Sequence, residues 1–133
     1  MSDNLTEIMR NSTFNIEEGR FVYAKVRTVP KMKDRPCMVF CDEDEITVVA
    51  KEKHLKDLDL IEKNKDYYRA FSLNVSIPFY SVGFLSTISG AIAERGINVL
   101  IVSTYSKDYI LVRDDRAAIV KEALIDMGMN YRA

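Results

Sequence analysis

Apolar and polar residues alternate most clearly in the C-terminal half of the chain. Within the strand-like run Tyr68–Ile77, four apolar residues alternate with Ser72, Asn74 and Ser76; they are Phe71, Leu73, Val75 and Ile77. This alternation predicts a strand with one buried face. Pro78 is expected to end the strand, because proline has no N–H to contribute to a sheet.

A helical period follows this strand. Apolar residues recur at intervals of three and four, at Val82, Leu85, Ile88 and Ile92. The spacing predicts a helix over 82–94, with Ser81 as its N-cap. Gly96 is expected to stop this helix, because glycine accepts the left-handed conformation.

The remaining C-terminal pattern completes a recognisable order of elements. It predicts strands over 97–102 and 108–113, a second helix that begins after Asp114 or Asp115 and ends at Gly128, and a short last strand within 129–133. We expect one set of helical residues to face the sheet: Leu85, Ile88, Ile92, Ile119, Val120, Ala123 and Leu124. The order β-α-β-β-α-β is the ferredoxin-like arrangement of an antiparallel sheet backed by two helices.

The N-terminal half has weaker patterns. They predict a short helix over 3–9, strands at Phe21–Val26, Met38–Cys41 and Ile46–Ala50, an acidic turn over 42–45 and a helix over 52–62. No linker of low complexity separates the halves. We therefore predict an α+β protein of two units, residues 1–66 and 67–133.

Charge and composition argue against nucleic acids and membranes as binding partners. The 133 residues include 19 Lys and Arg against 20 Asp and Glu, for a net charge of −1. This balance argues against a nucleic acid, which needs a basic surface, and against a membrane surface. No run approaches the roughly 18 apolar residues of a membrane-spanning helix, and no apolar signal core follows the first Met. We expect a cytoplasmic protein with reduced thiols.

Catalytic and metal-binding patterns are absent from the sequence. His54 is the single histidine and lies among lysines, which is typical of a solvated surface position. Cys37 and Cys41 are four residues apart without a second pair, which is not a zinc pattern. We expect no catalytic residue, no metal and no cofactor. A small enzyme that uses Cys41 or Asp108 is the remaining catalytic alternative.

Three segments carry a resemblance to a known family. Gly83 precedes a helix that opens with Leu-x-x-Ile, a later strand opens with Gly-Ile-Asn at 96–98, and 103–112 reads Ser-Thr-Tyr-Ser-Lys-Asp-Tyr-Ile-Leu-Val. These residues resemble the tandem ACT-domain family. It includes small bacterial and archaeal ACT-pair proteins, the animal cytosolic arginine sensors and the aspartate kinase regulatory regions. The resemblance is strong over 73–113 and weaker before residue 50.

The resemblance implies both a fold and a function. It implies two ACT-type ferredoxin-like (βαββαβ) units with antiparallel sheets and helices on one face. It also implies a regulatory homodimer that binds a free amino acid or related metabolite, acts on a regulated enzyme and catalyses nothing. The ligand would lie at the opening of helix 82–94 and the unit interface. The alternative is a protein–protein interaction module with no ligand.

The expected ligand contacts begin at the helix opening. The N–H groups of Val82, Gly83 and Phe84 would lack intrahelical acceptors and could hold an α-carboxylate, helped by the helix dipole. Ser81 could add a hydroxyl, and Gly83 lets a ligand approach the backbone. Alternatively, Gly83 relieves crowding and Ser81 serves only as a cap.

Other expected contacts follow the helix. Asn98 could accept a hydrogen bond from an α-ammonium group through its amide oxygen, or it could be a turn residue. By resemblance to the arginine sensors, Asp108 would contact a cationic side chain; alternatively it bonds its own turn. Ser103 and Thr104 could supply further hydroxyls. The acidic turn is expected to be a solvated loop, or else to close over a cationic ligand.

Overall fold

The computed structural model describes residues 3–75 and 83–133. Its elements, in chain order, are α1 (Asp3–Arg10), β1 (Thr13–Ile16), β2 (Phe21–Val26), β3 (Met38–Cys41), β4 (Ile46–Lys51), a 3₁₀ segment (Glu52–Asp57), β5 (Leu60–Lys63), β6 (Tyr68–Asn74), α2 (Phe84–Ala93), β7 (Leu100–Ser103), β8 (Asp108–Arg113), a 3₁₀ turn (Asp114–Arg116), α3 (Ala117–Asp126) and β9 (Asn130–Tyr131). The predicted C-terminal end of the strand, at Ile77 and Pro78, lies outside the described residues.

The chain divides into two compact units. One, the helical unit, combines Met1–Glu17 with Ala70–Ala133, and the other, the strand unit, is Glu18–Arg69. This division differs from the predicted boundary between 66 and 67 in two ways. The second boundary falls inside β6, after Arg69, and the first 17 residues fold with the C-terminal unit.

An early strand explains why the first residues belong to the helical unit. There the strand order is β7-β8-β6-β1-β9, so β1 lies between two strands from the far end of the chain. Phe14 on β1 pairs with Leu73 of antiparallel β6, and Thr13 pairs with Asn130 of parallel β9. The Phe14 ring is fully buried and lies 6.1 Å from the Phe71 ring. The hydrophobic pattern of the sequence does not predict β1.

The β-α-β-β-α-β order from β6 to β9 confirms the prediction for the C-terminal half. Both helices end where glycine was expected to stop them, since Gly96 and Gly128 have positive φ of 74° and 103°. Among the helices of the described chain, none is long and apolar enough to cross a membrane.

The core of the helical unit follows most of the predicted helical stripe. The predicted residues Ile88, Ile92, Val120, Ala123 and Leu124 are all buried. Two predicted members differ: Leu85 is half-buried, and Ile119 is 37% exposed. The buried face of α3 instead begins at Ala117, because 117, 120 and 124 share one side of a helix of 3.6 residues per turn. Phe84, which the predicted stripe missed, is buried.

The strand unit departs from the predicted order. Its sheet runs β3-β4-β2-β5, and its chain holds no α-helix between residues 18 and 69. The predicted helix over 52–62 is wrong: a 3₁₀ segment comes first, and then β5 pairs with β2. Of the three apolar residues spaced by three, only Leu55 lies within the 3₁₀ segment; Leu58 follows it and Ile61 lies in β5. This unit therefore lacks the βαββαβ order.

The predicted acidic turn closes the β3–β4 hairpin. The Asp42 carboxylate accepts hydrogen bonds from the N–H groups of Asp44 (2.8 Å) and Glu45 (2.9 Å). These two bonds favour the ionised form and lower the pKa of Asp42. The turn is exposed, as expected of a solvated loop.

Candidate functional site

The opening of α2 contains backbone donors that the helix itself does not use. Gly83 is the N-cap, in the left-handed conformation at φ 88°, and as glycine it has no side chain that could cap the helix. The first helical hydrogen bond runs from the Thr87 N–H to the Gly83 carbonyl at 3.0 Å. The N–H groups of Phe84, Leu85 and Ser86 therefore have no intrahelical acceptor. The first turn also lacks an acidic residue, so the positive end of the helix dipole can favour an external anion.

The placement of Gly83 and Phe84 refines the predicted contacts. Gly83 precedes the helix, so Phe84 is the first helical residue. The Phe84 side chain is buried in the core, which leaves its backbone N–H as the group that a ligand could reach. Ser81 and Val82, the other two predicted contacts at this opening, lie outside the described residues.

Helix α1 adjoins the same opening. A Cβ atom placed on Gly83 would lie 3.7 Å from Cδ1 of Leu5, which is ordinary van der Waals contact. Space at this position is therefore available, and the backbone conformation is the feature that requires glycine. Left-handed φ values are costly for residues with a Cβ, and most costly for β-branched ones.

The β7–β8 hairpin holds a buried carboxylate. Ser103 and Asp108 are opposite each other in the ladder, and the Ser103 hydroxyl donates to Oδ1 of Asp108 at 2.6 Å. Asp108 is only 8% exposed. Within the described ranges, no cationic side chain forms an ion pair with it. A buried charge without a counter-charge is costly, so this carboxylate is a strong candidate for contact with a cationic group.

Thr104 forms hydrogen bonds within the turn of this hairpin. Its hydroxyl donates to the Lys107 carbonyl at 3.0 Å and accepts from the Lys107 N–H at 3.2 Å. The backbone N–H of Thr104 donates to the same carbonyl at 2.8 Å. These bonds fix the turn that places Ser103 beside Asp108, so the structure gives Thr104 a supporting role in the hairpin.

The chain path puts the hairpin turn and the helix opening at one edge of the sheet. β6, α2 and β7 form a β-α-β crossover, in which the carboxyl ends of the strands and the amino end of the helix meet at the same edge. Ser103 ends β7, and Asp108 starts β8 directly across from it. The helix opening and the Asp108 carboxylate therefore share this edge.

Asn98 lies at the other end of α2. The next residue back, Ile97, donates its N–H to the carbonyl of Ile92 at 3.4 Å, which places this segment against the last helical turn. Ten helical residues span about 15 Å. The Asn98 side chain is exposed at that far end. The structure thus brings Gly83, Phe84, Ser103 and Asp108 to one edge and separates Asn98 from them.

Two cysteines and one histidine were the other candidates for catalysis or metal binding. Cys37 is half-buried and Cys41 is exposed, and both are free thiols. In the part of the chain that the structure describes, no group of three His, Cys, Asp or Glu side chains could hold a metal ion. His54 differs from the expected solvated residue: its ring lies between Asp34 and Asp57, a contact that sequence reasoning missed.

Comparison with known proteins identifies the segment that contains this edge. Residues 64–126 match the family model of the ACT domain. No curated protein matches the chain.

Several solved structures share the fold. A Vibrio cholerae protein of unknown function, described as a possible transport protein, has a TM-score of 0.77 at 18% identity and covers 95% of this chain and 97% of its own. A protein from Agrobacterium tumefaciens has a TM-score of 0.75 at 18% identity and covers 91% and 92%. A putative regulatory domain of aspartate kinase from Porphyromonas gingivalis has a TM-score of 0.58 at 16% identity, with coverage of 91% and 99%.

Proposed function

Because residues 64–126 match the family model of the ACT domain, whose members are regulatory rather than catalytic domains, we propose that this protein is a sensor of a free amino acid. The ligand binds at the edge formed by the α2 opening and the β7–β8 turn. The protein itself catalyses no reaction; the bound amino acid alters its contact with a regulated enzyme.

The observation that carries this proposal is the buried Asp108 carboxylate at the same edge as the N–H groups of α2 that lack intrahelical acceptors. An amino acid has one carboxylate and at least one cationic group. The N–H groups of Phe84, Leu85 and Ser86 suit the carboxylate, because they are uncapped donors at the positive end of a helix. Asp108 and the hydroxyl oxygen of Ser103 suit a cationic N–H group.

The burial of Asp108 favours a ligand with a cationic side chain. Ion pairs removed from water are stronger than exposed ones when both partners are satisfied by hydrogen bonds. Ser103 already satisfies one carboxylate oxygen, and the second oxygen is available to a guanidinium or ammonium group. Arginine and lysine are therefore the preferred ligands among the free amino acids.

A thermal-shift screen with the twenty free amino acids, one at a time, tests the proposal. A ligand that binds only the native state stabilises it by mass action, by about 2.7 kcal/mol at 100 times its Kd. We expect a clear rise in melting temperature with at least one amino acid, and the largest rise with arginine or lysine. If none of the twenty raises it, the chain is an interaction module with no amino-acid ligand.

The first site prediction concerns the charge of Asp108. Asp108→Asn keeps the shape and removes the charge, so it should weaken binding of a cationic side chain by about 1.5–3 kcal/mol, the range for a charged hydrogen bond. Binding of amino acids with neutral side chains should change little. Calorimetric titration of arginine, lysine and alanine measures both effects.

A matched control separates this effect from a loss of net charge. Asp126→Asn removes one negative charge from an exposed pair with Arg95 on the same unit. We expect it to leave arginine and lysine affinity unchanged. Equal weakening in both variants would contradict direct contact with Asp108.

The second prediction concerns assembly. β7 pairs only with β8 among the described strands, and Ile101 on it is 40% exposed. An apolar edge strand of this kind is a template for pairing with another chain. We expect a homodimer joined along β7. Light scattering at micromolar concentrations should give about twice the 15.3 kDa of one chain, and Ile101→Lys should shift it to one chain. A wild-type mass near 15 kDa would rule out the dimer.

A further inference from the structure

Strand β3 forms one edge of the sheet of the strand unit. It pairs with β4 on one side, and it pairs with no other strand of the described chain. Phe40 on this strand is 61% exposed, and the next residue, Cys41, is exposed as well. An apolar edge strand with unpaired backbone groups is a template for pairing with another strand.

The backbone groups of alternate β3 residues face the open side of this edge. Where the β3–β4 hairpin closes, the Asp42 N–H donates to the Glu45 carbonyl at 3.1 Å. Pairs with and without hydrogen bonds alternate along an antiparallel ladder, so Phe40, two residues before Asp42, also bonds to β4. Val39 and Cys41 occupy the alternate positions, and their N–H and C=O groups therefore point away from β4.

Charged residues flank β3 in an order that is complementary to itself. Basic residues precede the strand and acidic residues follow it. They are Lys31, Lys33 and Arg35 before β3, and Asp42, Glu43, Asp44 and Glu45 after it, all of them exposed. Asp34, which interrupts the basic set, is half-buried and lies 3.1 Å from Nζ of Lys53 in the same chain. A second copy that runs antiparallel to β3 therefore places its acidic end beside the basic end of the first copy, and its basic end beside the acidic one.

We propose that β3 pairs antiparallel with β3 of a second copy of this chain, with Val39 opposite Val39 of that copy. Residues directly opposite each other lie on the same face of a sheet, so a two-fold contact is centred on one residue. A centre at Val39 places Phe40 of each copy opposite Met38 of the other, apolar against apolar. A centre at Phe40 would instead place Met38 opposite the charged Asp42. The Val39 register also uses the outward N–H and C=O groups of Val39 for its central pair of hydrogen bonds.

Two further contacts follow from this register, and each occurs twice. Cys37 of one copy comes opposite Cys41 of the other, and Arg35 comes beside Glu43. A short strand and exposed ion pairs stabilise a contact only weakly, so we expect it above the micromolar range in which the β7 contact forms. Because β7 belongs to the helical unit, dimers joined along β7 associate further through β3. The contact uses none of the residues of the proposed amino-acid site and does not depend on the proposed function.

Chemical cross-linking of the two cysteines tests the register directly. Bismaleimidoethane, a short reagent that joins two thiols, should link Cys37 of one copy to Cys41 of the other and give a covalent dimer at submillimolar protein concentration. Cys37→Ser and Cys41→Ser should each give little dimer alone, because the remaining identical thiols are about 13 Å apart along the strands. A mixture of the two variants should recover the dimer. A wild type that does not cross-link, or single variants that cross-link as well as the wild type, would overturn the proposal.

Charge reversal tests the flanking contacts in the same assay. Glu43→Lys places like charges beside Arg35 at both ends, so it should lower the yield of cross-linked dimer by about tenfold. Arg35→Glu added to the same chain restores opposite charges and should recover the yield. Glu18→Lys makes the same change of charge at an exposed residue of the strand unit outside β3 and its flanks, and it should behave as wild type. An equal loss in Glu18→Lys, or no recovery in the folded double variant, would contradict the pairing.

Discussion

Replacement of Ile88 by alanine should lower the free energy of unfolding by about 2–5 kcal/mol. Ile88 lies on the buried face of α2, is 1% exposed and belongs to the main core with Phe71 and Val120. Alanine would remove three carbons and leave a cavity, because helix and sheet close-pack around this side chain. Chemical denaturation of the two proteins measures the difference.

The chain offers a matched control for this core substitution. Ile119 is also an isoleucine on a helix of the same unit, but it is 37% exposed and outside the buried face of α3. Ile119→Ala should cost well under 1 kcal/mol, as surface substitutions usually do. If Ile88→Ala costs equally little, α2 does not pack on the sheet as described.

Substitution of Gly83 should remove ligand binding and also strain the fold. Gly83→Val places a β-branched residue at φ 88°, where even an unbranched residue costs roughly 1–2 kcal/mol. Its methyl groups would also occupy the approach to the donors of Phe84 and Leu85. We therefore expect no measurable heat in a calorimetric titration with the amino acid found by the screen, and a lower melting temperature.

Two alanine variants separate the two effects. Gly83→Ala adds one carbon at the strained position, so it should destabilise by roughly 1–2 kcal/mol while it blocks less of the approach. Gly90→Ala, in the middle of α2 with open space around it, should instead stabilise by about 1 kcal/mol, because glycine is a poor helix former. Undiminished affinity in folded Gly83→Val would contradict a ligand site at the helix opening.

Local periodicity predicted the elements that depend on near neighbours. The strand Phe21–Val26, the alternating strand up to Asn74 and the helix stops at Gly96 and Gly128 all follow from residues within one turn or one strand of each other. β1 was missed because its alternation extends over only four residues and because it gains its stability from β6 and β9, which are distant in the sequence. A pattern of neighbouring residues carries no information about strands that are distant in the sequence.

The candidate site likewise combines features set by near neighbours in the sequence with features set by distant residues. The Ser103 and Asp108 pair was accessible to sequence reasoning, since a short hairpin brings residues five apart into register. The position of Asn98 at the far end of α2 depends on the path of the chain after the helix, which helical periodicity alone does not give. The contacts of His54 with Asp34, twenty residues earlier, depend on the path of residues 27–37 between β2 and β3.

Amide chemical-shift mapping during titration of the wild-type protein with each of the twenty free amino acids tests the proposed ligand site most directly. We expect at least one amino acid to shift the amide signals of Phe84, Leu85 and Ser86 together with those of 103–108. The signal of Asn98, at the far end of α2, should stay in place. Absence of shifts with all twenty, or shifts confined to residues away from this edge, would contradict an amino-acid site at the α2 opening.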